Sequence, residues 1–306
     1  MIIDIKRVLV STDFTETSNY AVEKGCRIAS LFNAELFLIH IFESSPYKLV
    51  TPDDNPNSNE KVVLQKNVMD RFEKMGKDIT ERYQIDVNTL LGETKVVKVI
   101  TDAVKDNAID LIVMGTNGAS GVKEFLIGSN AQNVVNAAPC PVVTIKAAPV
   151  NQGFDTIVMP VQSWNSSLEK LDYVSSIAGK FKSLVHILGI MENNKKEEVD
   201  KVLSLVDSAE KYLQDAGIAC VKEISTSQVP ANEILLYSQK IKADLIMVMA
   251  GHESHMGTVI PFVFAKHIIN HSEIPVMSIK PLMYHSEKVS FHLQPVHRSD
   301  NIRRNY

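Results

Sequence analysis

Three cysteines, Cys26, Cys140 and Cys220, are all that this chain of 306 residues contains. So few and so scattered, they exclude a disulfide framework as the basis of the fold. No apolar run reaches the roughly 18 residues that a membrane-spanning helix needs. Positive charge is not in excess either. The 32 Lys and Arg face 36 Asp and Glu, a formal net charge of -4, which argues against a general electrostatic grip on nucleic acid. The opening MIIDIKRVLVSTDF carries an acid inside its first apolar stretch and offers no small-residue cleavage site, unlike a secretory leader. Familiar phosphate and nucleophile signatures are missing as well: no GxxxxGK[ST], no GxGxxG after the first apolar run, no SGGxDS-like stretch and no GxSxG. A cytoplasmic, reduced, soluble protein without membrane or nucleic-acid partners is the expectation.

What is present is a repeat. KRVLVSTDFTETSNYAVEKGCRIASLFNAELFLIHIFE (6–43) aligns without a gap on DTIVMPVQSWNSSLEKLDYVSSIAGKFKSLVHILGIME (155–192), an offset of 149. IDLIVMG (109–115) matches ADLIMVM (243–249), and CPVVTIK (140–146) matches IPVMSIK (274–280), both at an offset of 134. The first half therefore holds about 15 extra residues, best assigned to the polar stretch 44–61. Length and repeat together divide the chain into two domains, 1–148 and 153–281, with an extension, 282–306.

Periodicity gives each half the same order. In the first, 8–11 reads as a strand, and Ala21, Gly25, Ile28, Ala29 and Phe32 carry helical spacing. Leu36 to Ile41 is a strand, 61–84 a helix, Asp86 to Leu91 a strand and Lys95 to Val104 a helix. Leu111 to Met114 and Val142 to Ile145 complete five strands. Strands alternating with helical segments imply βαβ units. The expected fold class is α/β: two tandem Rossmann-like domains, each a five-stranded parallel sheet with helices on both faces.

In such sheets ligands lie beyond the carboxyl ends of the strands. MGTNGASGVKEFLIGSN (114–130) stands at one of these ends, with glycines at 115, 118, 121 and 128 and a serine after the last. Gly115 and Gly118 allow positive φ and close approach of the backbone. The following helix begins at Gly128-Ser129, where unpaired amides of Ser129, Asn130 and Ala131 would attract an anion. Glycine spacing alone leaves two readings open: a phosphate cradle, or a long loop followed by an ordinary serine cap.

The spacing G-x2-G-x9-G-[ST], here Gly115, Gly118, Gly128 and Ser129, resembles the nucleotide-binding signature of the universal stress protein family. VLVSTDFTETS, LIHIFE, AIDLIVMGTNG and NAAPCPVVTIK extend the resemblance over 6–146, and 155–280 shares it more weakly. The resemblance implies an adenine nucleotide, ATP or else AMP or ADP, with Mg2+ as a possible companion, laid across the strand ends. Thr12 and Asp13 would line the nucleoside end, and Ile41 would offer its backbone to adenine. Met114, Gly115, Asn117 and Gly118 would shape the ribose and α-phosphate region. Gly128, Ser129, Asn130 and Ala131 would hold the outer phosphates. Asn117 departs from the basic or histidine residue that members often carry there.

At the same offsets the second half replaces Asp13 by Gln162, Gly115 by Met249, Gly118 by His252, Gly128 by Phe262 and Ser129 by Val263. It is expected to be a degenerate domain that pairs with the first as two copies pair in dimeric members, Val142–Ile145 beside Val276–Ile279. A homodimer of whole chains stays open. The expected function is a nucleotide-binding stress-response regulator, with no catalytic residue and no metal site assigned. A slow ATPase and a scaffold without nucleotide are the alternatives. Gly115→Val or Gly128→Val would then abolish binding without unfolding the chain. Weaker signals read as structural. His252 with His255, and His267 with His271, lack a completing ligand for zinc. Lys123 reads as a solvated loop residue, Cys140 as packing, and Trp164 as a probe of the second cleft.

Overall fold

The computed structural model describes residues 3–42, 58–93, 95–116, 128–146, 151, 153–253, 259–261 and 263–281. The first half runs β1 (Arg7–Ser11), α1 (Glu16–Phe32), β2 (Glu35–Phe42), α2 (Ser58–Tyr83), β3 (Val87–Glu93), α3 (Val96–Asp106), β4 (Leu111–Gly115), α4 (Ser129–Ala137) and β5 (Val142–Ile145). The second half runs β6 (Thr156–Val161), a 3-10 turn (Asn165–Leu168), α5 (Leu171–Phe181), β7 (Leu184–Met191), α6 (Lys196–Asp215), β8 (Cys220–Thr226), α7 (Pro230–Lys240) and β9 (Leu245–Met249). It continues through β10 (Gly251–Glu253), β11 (Val259–Pro261), α8 (Val263–His271) and β12 (Val276–Ile279). The expected α/β order is present in both halves. The weak strand signal VSFHL, in the extension, lies outside the described residues.

The two sheets are in fact one. Strand order is β3-β2-β1-β4-β5-β12-β9-β6-β7-β8, parallel within each half. At the centre β5 and β12 pair antiparallel, with Thr144 opposite Val276, Val143 opposite Met277 and Val142 opposite Ser278. All four residues of each central strand are buried. The last strands thus meet as expected, and the halves form an intramolecular pseudo-dimer.

Strand alternation sorts the core into two layers. Val8, Val10, Leu111 and Val113 face α1, α2, α5 and α6. Leu9, Ile112 and Met114 face α3, α4, α7 and α8. Each layer runs across both halves. Gly25 illustrates how closely α1 lies on the sheet: a Cβ there would stand 2.3 Å from Val10 Cγ2.

The repeat extends to individual hydrogen bonds. Asp110 Oδ2 accepts from the amides of Lys6 and Arg7 at 2.8 and 2.9 Å, tying the start of β1 to β4. Asp244 plays the same part for β6, accepting from Thr156 N at 2.9 Å and from Asn151 Nδ2 at 2.8 Å. Asp244 also connects the segment between the halves to the second half. Lys24 does so from α1: its buried Nζ donates to Asn151 O at 2.9 Å and Gly153 O at 3.0 Å and stands over the Phe154 ring. Burial lowers the Lys24 pKa to about 8, opposed by the charges of Asp244 and Asp155.

A second lysine is less well compensated. Lys170 precedes α5, is 2% exposed, and donates to Ser167 O at 2.5 Å. Burial drives its pKa down to about 7, with Glu169 a weaker opposing influence. Its folded value lies below its unfolded one, so folding releases a proton between about pH 7 and the ordinary lysine range near 10.5. Stability should therefore rise with pH across that window, while the burial penalty is present in full below pH 7. Lys170→Met should raise the melting temperature at pH 7 and flatten its rise towards pH 10. Thermal denaturation at pH 6, 7, 9 and 10 checks both; an unchanged pH profile would contradict the assignment.

Candidate nucleotide-binding site

The carboxyl ends of β2, β1 and β4 lie side by side, and the sequence places its candidate residues there. Thr12 follows β1 and is buried, with its polar atoms engaged inside the fold. Its amide donates to Ile39 O at 2.9 Å, and its Oγ1 accepts from Phe14 N at 3.1 Å and pairs with Ser18 Oγ at 3.1 Å. Thr12 shapes the turn. Asp13 is half-buried and accepts at Oδ1 from Thr15 N at 3.0 Å and Thr15 Oγ1 at 2.6 Å. Burial pushes its pKa up, but hydrogen bonds from Thr15 and Ser18 outweigh this and hold it below the usual aspartate value. Asp13 is therefore ionised at neutral pH. It does not cap α1: Thr15 is the cap residue, accepting from Ser18 N at 3.4 Å.

Ile41 stands beyond the end of its neighbour. In a parallel pair each residue sends its amide and carbonyl to the same side, and the side alternates along the strand. Ile39 O receives Thr12 N, so Ile39 faces β1, and Ile41 faces that way too. The β1–β2 ladder stops at Ser11 opposite Ile39. The next acceptor along, Thr12 O, is occupied by His40 Nδ1 at 2.9 Å. A carbonyl can only accept, so His40 carries its proton on Nδ1 here. The His40 ring is fixed between Phe14 and Phe42, with centroids 5.1 and 4.8 Å away. Ile41 therefore directs one donor and one acceptor past the end of β1. His40 was not singled out in the sequence; its signal is a lone imidazole inside the apolar run LFLIHIF.

At the end of β4, Met114 is buried against the second core layer. Gly115 does not adopt positive φ. Its need is close approach to α1, since a Cβ would stand 3.1 Å from Thr17 Cγ2 and 3.4 Å from Ser18 N. Thr116 donates its amide to Ile145 O at 2.9 Å and accepts from Gly128 N at 2.8 Å. A Cβ on Gly128 would stand 2.9 Å from that Thr116 carbonyl, which is backbone and cannot swing away. Gly115→Val and Gly128→Val would thus disturb packing as well as any ligand, which corrects the sequence-based expectation that they spare the fold. Thr116, passed over between two motif glycines, is the second residue that the sequence reading missed.

Gly128 is the cap residue of α4, with no side-chain capping bond. Ser129 is the first helical residue and exposed, so it does not act as an ordinary serine cap. Gln132 N donates to Gly128 O at 3.3 Å, the first bond of the helix. The amides before it have no acceptor within the helix and carry the positive end of its dipole. Asn130 is exposed, whereas the Ala131 side chain is buried, leaving only its backbone for a ligand. Asn117, Gly118 and Lys123 lie outside the described residues.

The second half keeps the frame and changes the furnishing. Ala250 N donates to Ile279 O, so Ala250 stands where Thr116 stands. Gln162, the counterpart of Asp13, is buried, and so is Met249, the counterpart of Gly115. The chain then enters a hairpin that the sequence did not reveal, β10 against β11, with Gly251 opposite Pro261. Trp164 meets Phe264 edge-on, centroids 5.9 Å apart. Phe262 and His255 lie outside the described residues, as do the side chains of His252 and Val263. His267 Nε2 is hydrogen-bonded to Asn232 Oδ1 at 2.7 Å, and no metal-holding cluster occurs among the described residues. Burial raises the Cys140 thiol to about 12, so it is inert at neutral pH. No helix among the described residues is long and apolar enough to cross a membrane.

Comparison with known proteins agrees with this architecture. The Universal stress protein family model matches residues 4–146 and 153–280. A universal stress protein of Methanocaldococcus jannaschii is 28% identical over 141 residues, covering 46% of this chain and 82% of the relative. A second from the same organism is 25% identical, over 46% of this chain and 94% of the relative. Among solved structures, a universal stress protein from Archaeoglobus fulgidus superposes with a TM-score of 0.69 at 22% identity, covering 91% of this chain and all of that one. A putative universal stress protein from Pseudomonas aeruginosa does so with a TM-score of 0.62 at 16% identity, over 90% and 94% of the two chains. With both halves matched by the family model and joined through their last strands, the chain belongs to the universal stress protein family, in a tandem two-domain form.

Proposed function

We propose that this protein is a regulatory module that binds an adenine nucleotide, ATP or AMP, in its first domain only. The observation that carries this reading is the start of α4, pinned to the end of β4 by the Gly128–Thr116 bond, at the same edge of the sheet as the backbone groups of Ile41. In the proposed arrangement Ile41 meets the adenine edge with one donor and one acceptor. Asp13 supplies a fixed negative charge at the nucleoside end. Met114, Gly115, Asn117 and Gly118 form the floor of the ribose and first phosphate, and Gly128, Ser129, Asn130 and Ala131 receive the outer phosphates. Mg2+ would be held through phosphate oxygens and water. The residues assigned to the phosphate end include no acid, base or arginine, so binding is proposed and hydrolysis is not.

The second domain is proposed to lack the site. Met249 and Ala250 remove the glycine and hydroxyl of the first half, and the chain then enters the β10–β11 hairpin. Its part is to complete the sheet.

Denaturing the freshly purified protein and identifying released nucleotide by chromatography is the direct test. About one adenine nucleotide per chain is expected. Two per chain would refute a silent second domain, and none, followed by a failed ATP titration, would leave the scaffold alternative. Ser129→Asp gives a variant that keeps its fold, since an acid in the first turn suits the helix dipole. It should lower ATP affinity at least tenfold without lowering the melting temperature; unchanged affinity would count against phosphate binding at α4. His40→Leu should release Thr12 O to the Ile41 amide. ATP and adenosine affinities should then fall together, and calorimetric titration showing neither to change would separate Ile41 from the base.

A further inference from the structure

The hydroxyl of Thr116 stands apart among the described residues. Thr116 is 3% exposed, and its Oγ1 finds no hydrogen-bond partner among the described residues. Its backbone, by contrast, is fully used, amide to Ile145 and carbonyl to Gly128. An unpaired hydroxyl inside a protein is destabilising, and a valine of the same shape would remove the problem. The equivalent position of the second half, Ala250, has no hydroxyl.

Alternation along β4 fixes the direction of this side chain. A side chain on Gly115 would meet Thr17 and Ser18 of α1, so Gly115 faces the α1 layer. Met114, one residue earlier, faces the layer that contains α4. Thr116 therefore points to the α4 side. It does so at the residue whose carbonyl holds Gly128, the cap of α4. A buried donor without a partner among the described residues and a helix start capped by a glycine thus converge on one place, on the same side of the sheet.

Resting on the nucleotide reading above, we infer that Thr116 is a ligand-contacting residue whose hydroxyl donates to a phosphoryl oxygen held at the start of α4. The orphaned hydroxyl is paired when the phosphoryl group arrives. In this arrangement part of the free energy that valine would give to folding is held for binding. The chemistry recognised is the phosphoryl oxyanion, whether it belongs to a nucleotide or to a free polyphosphate.

Thr116→Val and Thr116→Ser separate this role from packing. In calorimetric titrations, Thr116→Val should weaken ATP binding about ten- to a hundredfold, the range for a hydrogen bond to a charged group. Adenosine, which lacks phosphate, should bind it as it binds the wild type, and Thr116→Ser should recover most of the ATP affinity. The melting temperature of ligand-free Thr116→Val should equal or exceed that of the wild type. Equal losses for adenosine and ATP, or unchanged ATP affinity, would overturn the inference. Tripolyphosphate tests the source of the group. If wild type binds tripolyphosphate in a Thr116-dependent way but no adenine compound, the phosphoryl site stands and the nucleotide reading falls. If it binds neither, both fall.

Discussion

The antiparallel pairing of β5 with β12 is the contact on which the rest of the molecule depends. Both strands are four residues long and buried throughout. Separated, each half would expose a row of unpaired main-chain groups flanked by Val142, Val143 and Ile145 on one side, or Val276, Met277 and Ile279 on the other. Such an edge invites pairing with any strand nearby. Here the partner is supplied by the same chain, and Thr144 Oγ1 adds a bond to Val276 O at 3.3 Å. Joining the sheets also joins the cores, because each hydrophobic layer then continues across the junction. Lys24 and Asp244 hold the connecting segment at one end of this arrangement.

Symmetry in the frame permits asymmetry at the strand ends. Equivalent aspartates brace the starts of β1 and β6, and equivalent amides close the ends of β4 and β9. These bonds involve backbone or helix-distal carboxylates and tolerate change elsewhere. The residues beyond the strands carry no such obligation. There the first half has glycines and, among the described residues, a hydroxyl without a partner, while the second has Met249, Ala250, a short hairpin and an aromatic pair. In the proposed reading one half meets ligand and the other meets its neighbour.

The geometry around Ile41 shows how a strand end leaves main-chain groups without a strand partner. Neither hydrophobicity nor side-chain chemistry makes Ile41 special. β1 ends one step too early to pair with it, and His40 occupies the carbonyl that would have continued the ladder. Phe14, with φ of 62°, turns the chain away at that point and stacks beneath the Arg71 guanidinium, 4.1 Å from its ring centre. Local turn geometry and one imidazole thus leave a donor and an acceptor facing outwards.

Much of this was written into the sequence by itself. The duplicated pattern, the alternation of strands and helices, and the glycine spacing before Ser129 follow from periodicity and from which residues can be buried. Those properties are local, so they survive in a one-dimensional reading. Tertiary structure decided the rest. Gly115 is required by the approach of Thr17 and Ser18 of α1, and Gly128 by the Thr116 carbonyl. Lys170, which follows Ser166-Ser167, is buried by the packing of the second half. Thr116 looks like any polar loop residue until its neighbours are known. In each case the deciding quantity is whether a polar atom or a small residue finds a partner across the fold. Which groups meet depends on how segments such as α1 and β4 pack, and that is not read from a window along the chain.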